Sequence, residues 1–455
     1  MKRVSAILSV LTVLVLLGAC APAEPEIVEV TRVVTEKEEV EVTTIVREEV
    51  EVTKEVEVVK EVEKELGPIT MWARYDLTDE EDPPAVTLRQ AIETFESTTG
   101  IEVEYEQVAW DQIATKLAVQ AQSGGDMPDV VEASSQHVLA LINAGALKDI
   151  SAMVEGSPWM DELSPSEAQS CVVDGARYCV AADIRGGAWY YNNASFPDGW
   201  PTTPEGWLEE GERLKGEGMY LTTFYAGRQY GAVELSWAPW FYSNGGSIFD
   251  EEGKPDWASP ENVEVVEWAR ELLANEYIPE TCFTGDFTAG ETPWVDGSAA
   301  SVRGGSWSYL FIPGLQGKIE GDETDLGEAV DFGDGSYVFL VGEGWAITEG
   351  SEDPEAAMAW MNFFMNPQIL SQWASQHYGI PTIGEAFVGS EFSGDFYSAT
   401  ADNLGNNGVF IEASPFYVES LTKLAETLQE LMLDPDLDIL EALQDAQDEI
   451  VNRYF

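Results

Sequence analysis

The chain reads as an α/β protein whose sheet is mainly parallel and covered by helices. Three observations carry that reading. Between Ile69 and Val131, short apolar runs alternate with amphipathic stretches in the order strand, helix, strand, helix, strand, and such alternation builds parallel sheets. At 455 residues the chain exceeds one ordinary domain, so two lobes are expected. A hydrophobic content of 44% with 15 tryptophans is ample for a packed core.

The N-terminus stands apart from that body. Met1-Lys2-Arg3 precedes an apolar run from Val4 to Leu17, and Gly18-Ala19-Cys20 follows. A basic start, a short apolar stretch and small residues before a break describe a secretory signal. The run is shorter than the roughly 20 residues that a bilayer span needs. Leu16-Leu17-Gly18-Ala19-Cys20 resembles the lipobox of bacterial lipoproteins. The resemblance implies that residues 1–19 are a signal peptide and that Cys20 carries diacylglycerol on its thiol. A plain signal peptide with an incidental cysteine, or an uncleaved anchor, are the alternatives.

Residues 20–66 form a compositionally distinct stalk. After Pro22 and Pro25, Glu, Val, Thr and Lys almost fill it, and Glu-Val-Thr fragments recur at irregular spacing near residues 29, 41 and 51. Dense Val weakens an isolated helix and dense Glu weakens a lone strand. An extended charged spacer is expected, with a weak coiled coil between neighbouring molecules as the alternative. Gly67-Pro68 ends it.

The body then opens with Ile69–Ala73 as a first strand and a polar loop from Arg74 to Pro84. Ala85–Thr99 has apolar residues at helical spacing, with Gly100 as its stop. Ile101–Tyr105 alternates as a second strand, Asp111 is placed to cap a helix over 112–122, and Pro128–Val131 is a third strand. Val138–Asn143 is expected to be helical before Gly145.

Charge and cysteine usage exclude several classes. With 83 acidic against 23 basic residues the net charge is −60, which repels nucleic acid and anionic headgroups. The surplus is expected to be a solvated acidic surface, which names no ligand. With Cys20 set aside, Cys171, Cys179 and Cys282 remain. Cys171 and Cys179 flank a hairpin turning at Asp174-Gly175. A three-residue loop centred on Gly175 would put the sulfurs opposite each other, whereas a two-residue turn would face Cys171 with Tyr178. A Cys171–Cys179 disulfide is expected, leaving Cys282 free. Only His137 and His377 occur, and there is no Cys-x-x-Cys, so no metal or other cofactor is expected. Asp434-x-Asp436-x-Asp438 has the start of a calcium loop, but Ile439 stands where the loop needs glycine. Those acids are expected to open a helix over 440–451 instead.

Phe95-Glu96-x-x-x-Gly100-Ile101-Glu102-Val103, Ala121-x-x-Gly124 and Pro128-Asp129-Val130-Val131 resemble the opening of bacterial extracellular solute-binding proteins of the maltose-binding type. The similarity continues in order through Val173-Asp174-Gly175-x-x-Tyr178, Trp189–Asn193, Ser243–Asp250, Gly297–Ala300 with Gly305-Ser306-Trp307, Gly342–Thr348, Asp353–Ala357 and Tyr378–Pro381. It implies a two-lobed periplasmic-binding-protein-like fold with hinge-crossing segments. The expected division gives lobe 1 residues 67–181 with 293–340, and lobe 2 residues 182–292 with 341–455. It further implies capture of a carbohydrate by lobe closure and delivery to the permease subunits of an ABC importer. The protein would then be extracytoplasmic and held to the outer face of the cell membrane by its N-terminal lipid.

A sugar site needs aromatic faces for the rings and planar polar groups for the hydroxyls. Open α/β sheets place ligands at strand ends. The candidates there are Arg74 and Tyr75 after strand one, Ser135 and Gln136 after strand three, and Asp183 and Arg185 at the crossover. Trp240 before the glycine pair, Arg303 and Trp307 after the return strand, and Trp345 near the last hinge complete the set. Trp72 and Trp237 are weaker candidates, with core packing as their plain reading. Catalytic residues are not expected: no Gly-x-Ser-x-Gly elbow or phosphate loop occurs, and His137 reads as a helix-start residue. The alternatives are the same fold binding a polyamine, a glycerol-phosphate or a peptide, a secreted glycan-degrading enzyme, or a structural surface protein.

Overall fold

A computed structural model describes residues 66–455, apart from 309–311, 313, 322, 389–391 and 393–394. The expected signal peptide, Cys20 and all of the stalk but Leu66 lie outside the described residues. No helix among the described residues is long and apolar enough to cross a membrane.

The first three strands form in the expected order, the first at its expected limits and the next two starting two residues later. β1 (Ile69–Ala73) pairs in parallel with β2 (Val103–Gln107) and with β3 (Val130–Ser134). The helix between β1 and β2 spans Pro83–Thr99, two residues earlier than expected. Proline is pre-organised for the first helical turn, where its missing N–H costs nothing. Gly100 ends that helix with φ 76°, a left-handed geometry that glycine adopts without a Cβ penalty. The next helix is Trp110–Ser123, which starts earlier than expected, so that position 111 falls inside its first turn and Ala109 holds the capping position.

Two long strands then tie the halves together. β4 (Val172–Val173) and β5 (Ala176–Arg177) make a small hairpin, and β6 (Val180–Asn192) follows. β7 (Ser301–Gly305), β8 (Thr324–Gly327), β9 (Val338–Ile347), β10 (Ile380–Pro381) and β11 (Gly408–Val409) complete the set. The first sheet runs β10-β6-β9-β3-β1-β2. It is parallel only from β3 to β2: β9 lies antiparallel to both β3 and β6. The long strands return against the sheet, which the strand-helix alternation of the first sixty residues did not foreshadow. β6 gives its first half to this sheet, and from Gly187 onward it pairs with β7 and β8 instead. Gly344 lets the two crossing strands approach, since a Cβ there would stand 2.0 Å from the Val180 carbonyl oxygen.

This pairing exchanges the later segments relative to the expected division. Ser301–Gly305, expected with lobe 1, runs along Gly187–Tyr191, while Val130–Ser134 of lobe 1 pairs with Glu343–Ile347. Trp345, Trp360 and Trp373 join Ile69, Leu88 and Phe95 in one core. The last two helices, Tyr417–Leu433 and Ile439–Tyr454, stay with the second half, where Arg270 Nε donates to the Leu431 carbonyl at 2.7 Å. Asp438 caps the last helix by accepting from Glu441 N at 2.9 Å, in keeping with the plain reading of that acidic run.

Cys171 and Cys179 are joined, with Cα atoms 4.9 Å apart, and Cys282 is free and buried. The turn between them is the two-residue kind, because Val173 pairs with Ala176. Tyr178 N does bond to the Cys171 carbonyl, at 3.0 Å. The sulfurs still meet because Cys171 is the last residue of the helix Pro165–Cys171, where the chain leaves strand geometry.

Candidate functional site

A cleft of about 940 Å³ opens where the two halves face each other across the crossing strands. Its floor is charged. Arg74 follows β1, Arg185 sits on β6 and Glu343 on β9, and all three line the cleft. Glu343 binds both cations: Arg74 Nη2 donates to it at 2.6 Å, and Arg185 Nη2 makes a second, shorter contact. Arg74 also lies 3.3 Å from Glu132, and Arg185 lies 3.5 Å from Asp183. Burying charge is costly unless it is paired and hydrogen-bonded; here the cations share three carboxylates.

His377 completes the network from the end of the helix Pro367–His377. Its Nδ1–H donates to Asp183 Oδ2 at 2.8 Å, which leaves Nε2 to accept the Tyr75 hydroxyl at 2.5 Å and the Arg74 guanidinium at 2.7 Å. Burial, then the nearby Arg185 and Arg74 charges, hold this imidazole well below its ordinary range, so it is neutral. Burial pushes Asp183 up to about 6 against the opposing pull of Arg185 and Arg74, and brings Arg185 down to about 10.

The walls are aromatic and polar. Trp110 comes from the helix after β2, with the Arg74 guanidinium 4.4 Å from its ring centre. Tyr225, Tyr230, Phe287 and Trp307 come from the second half. Gln136 faces Glu234 across the cleft and donates to its Oε1 at 2.7 Å, while the Tyr417 hydroxyl donates to the same oxygen at 2.8 Å. Glu234 lies in a π-helical turn, Val233–Trp237, a rare local geometry. Burial raises its carboxyl to about 7, against both hydrogen bonds.

Of the expected site residues, Arg74, Tyr75, Gln136, Arg185 and Trp307 line the cleft. Asp183 lies one layer beneath it, fully buried and bonded to His377. Ser135 turns away, its Oγ accepting from Gly342 N at 3.1 Å. Trp240 and Trp345 do not reach the cleft. Trp240 stacks on Trp189 with ring centres 6.3 Å apart, and Trp345 packs edge-on against Trp360 and Phe364. Arg303 is buried behind the floor, its guanidinium carbon 5.8 Å from the Trp189 ring centre. Trp72 and Trp237 are core residues, as their plain reading had it. His137 is buried between Trp110 and Tyr230, and burial lowers it to about 4.

Sequence reasoning missed Trp110, Tyr225, Arg228, Tyr230, Glu234, Phe287 and His377. Trp110 was within reach of the strand-end rule, since it follows β2 by three residues. The π-helical turn and the arrival of His377 from a distant helix carry no local signal.

Comparison with known proteins fits this architecture. The sequence profile of the bacterial extracellular solute-binding proteins matches residues 90–395, more than half of the chain. The chain belongs to that family. This solute-binding protein is 23% identical over 290 residues to a probable amino-acid ABC transporter periplasmic-binding protein of Sinorhizobium fredii, a match spanning 61% of its own length and 65% of the relative's. It superposes on maltose-bound MalE3 of T. maritima with a TM-score of 0.72 at 19% identity, over 85% of this chain and 99% of the other. An ABC transporter solute-binding protein of Thermotoga lettingae, bound with α-D-tagatose, gives a TM-score of 0.72 at 18% identity, over 85% and 99% of the two chains. The fold is therefore the two-lobed α/β fold of this family, whose members act outside the cytoplasm.

Proposed function

We propose that this protein captures a carbohydrate in the cleft between its lobes and delivers it to an ABC importer. The observation that carries the reading is the make-up of the cleft: aromatic faces of Trp110, Tyr230 and Trp307 beside fixed planar groups of Arg74, Gln136 and Glu234. Rings bury apolar faces on such aromatics, and hydroxyls exchange hydrogen bonds with carboxylates, amides and guanidinium. The structures it resembles hold maltose and tagatose, which supports a sugar of one or a few rings. Binding and release need no covalent chemistry. The lobes comprise residues 67–186 with 341–388, and 187–340 with 408–455, and they close by hinging at β6 and β9. Cys20 carries the lipid that holds the protein to the outer face of the membrane, with residues 21–66 as its spacer.

The test is a thermal-shift and calorimetric screen of the mature chain against mono- and oligosaccharides, polyamines, glycerol-phosphates and amino acids. A solute that binds only the folded state raises the melting temperature with its concentration. A shift confined to one sugar series, with a change in tryptophan fluorescence, supports the reading. A shift by amino acids or glycerol-phosphate alone refutes it.

A further inference from the structure

The cleft is not electrically neutral, and its imbalance points to one class of solute. Arg74 and Arg185 are already matched by Glu132, Glu343 and Asp183. The remaining lining cation, Arg228, lies 3.5 Å from Glu426 and 3.7 Å from Glu430. Against these, Asp76, Asp79, Glu81 and Asp82 line one side of the cleft from the loop after β1. Facing the cleft from the other half is Glu234, only 3% exposed. Its Oε1 takes both neutral hydrogen bonds, from Gln136 and Tyr417. Its Oε2 has no hydrogen-bond partner and no cation beside it among the described residues.

Glu234 is buried as a residue but lines the cleft, and a carboxylate in such a place is stabilised by a cation that reaches it. Every arginine lining the cleft is engaged by another carboxylate, so a cation for Glu234 would have to come with the solute. Tyr230 and Trp307 supply aromatic faces in the same cleft, and an ammonium group is attracted to such faces as well as to a carboxylate. We infer that the solute is an amino sugar, whose protonated amine meets Glu234 Oε2 while its ring lies on the aromatic wall. This rests on the carbohydrate reading and narrows it. The net charge of −60 would add long-range attraction for such a cation.

Calorimetry on the mature chain, with β-1,4-linked glucosamine oligomers against β-1,4-linked glucose oligomers of equal length, isolates the amine on a matched backbone. At least tenfold tighter binding of the amine series is expected. Glu234→Gln should collapse that ratio towards one. An independent variant, Asp79→Asn with Glu81→Gln, alters only exposed loop carboxylates; it should lower the ratio two- to threefold and flatten its salt dependence. Equal or tighter binding of the neutral series overturns the inference and leaves the carbohydrate reading standing. Binding of spermidine with neither sugar series overturns both. An amine preference that Glu234→Gln leaves intact overturns the assignment to this carboxylate.

Discussion

Glu343 holds the charged floor together, and its replacement by glutamine tests whether that floor is a structural network. In Glu343→Gln the shape is kept but the shared negative charge is lost. Arg74 and Arg185, with side chains 17% and 7% exposed, then keep as carboxylate partners only Glu132 at 3.3 Å and Asp183 at 3.5 Å. Removing one member of a buried ion pair costs about 3–5 kcal/mol, because it strands the other charge away from water. The surviving carboxylates put the expectation near the lower end, about 3 kcal/mol. Urea denaturation of the mature chain, followed by tryptophan fluorescence, reads the loss as a lower midpoint at unchanged slope. The double variant Arg185→Met/Glu343→Gln should lose less than the sum of the single losses, with a coupling energy above about 1 kcal/mol. A loss under about 1 kcal/mol for Glu343→Gln, typical of an exposed pair, would refute the reasoning: water would then be reaching the floor.

Three further outcomes follow from burial. Trp307→Ala should weaken solute binding at least tenfold with little change in stability, while Trp240→Ala should cost about 3–5 kcal/mol of stability as a core truncation; calorimetry and denaturation separate the two. Glu291, buried with Ser308 Oγ at 3.3 Å as its partner, is pushed by burial from 4.5 to about 7. The folded state holds that proton more tightly, so stability falls as pH rises from 4.5 towards 7. Glu291→Gln should be more stable than the parent at pH 8 by on the order of 1–3 kcal/mol, and should lose that advantage by pH 4.5, as melting curves at both pH values would show. Cys282 is fully buried and burial pushes its thiol up to about 12. Peptide mapping after treatment with a thiol reagent should find it unlabelled in the native protein and labelled in denaturant.

Local pattern made most elements of the fold legible. β1, the helix after it and the helix at Val138–Asn143 are set by residues close in sequence, and their expected limits fall within two residues of those observed. The allocation of the later segments to lobes was not legible in that way. Ser301–Gly305 and Val338–Ile347 are both buried along their whole length, and nothing within either says which partner it will find. The choice is made by β6, which is long enough to serve both sheets and whose Gly187 marks where one set of partners replaces the other.

The site divides along the same line. Arg74, Tyr75 and Gln136 were found because the end of a strand in an open sheet is itself a location, and Arg185 because it lies on the strand that crosses between the halves. Of the three expected tryptophans only Trp307 reaches the cleft, because an indole after a strand or helix can turn either way and its local sequence is the same in both cases. Trp307 lies over Gly305, where a Cβ would stand 2.4 Å from its ring; the glycine leaves room for it beside the cleft. Trp240 instead meets Trp189, Phe224 and Trp268, residues that reach it from three other segments of the chain. Partners so distant in sequence decide which aromatic packs and which is left to bind. That is also why Glu234, held between Gln136 of one half and Tyr417 of the other, had no sequence signal, although it is the carboxylate on which the solute's identity turns.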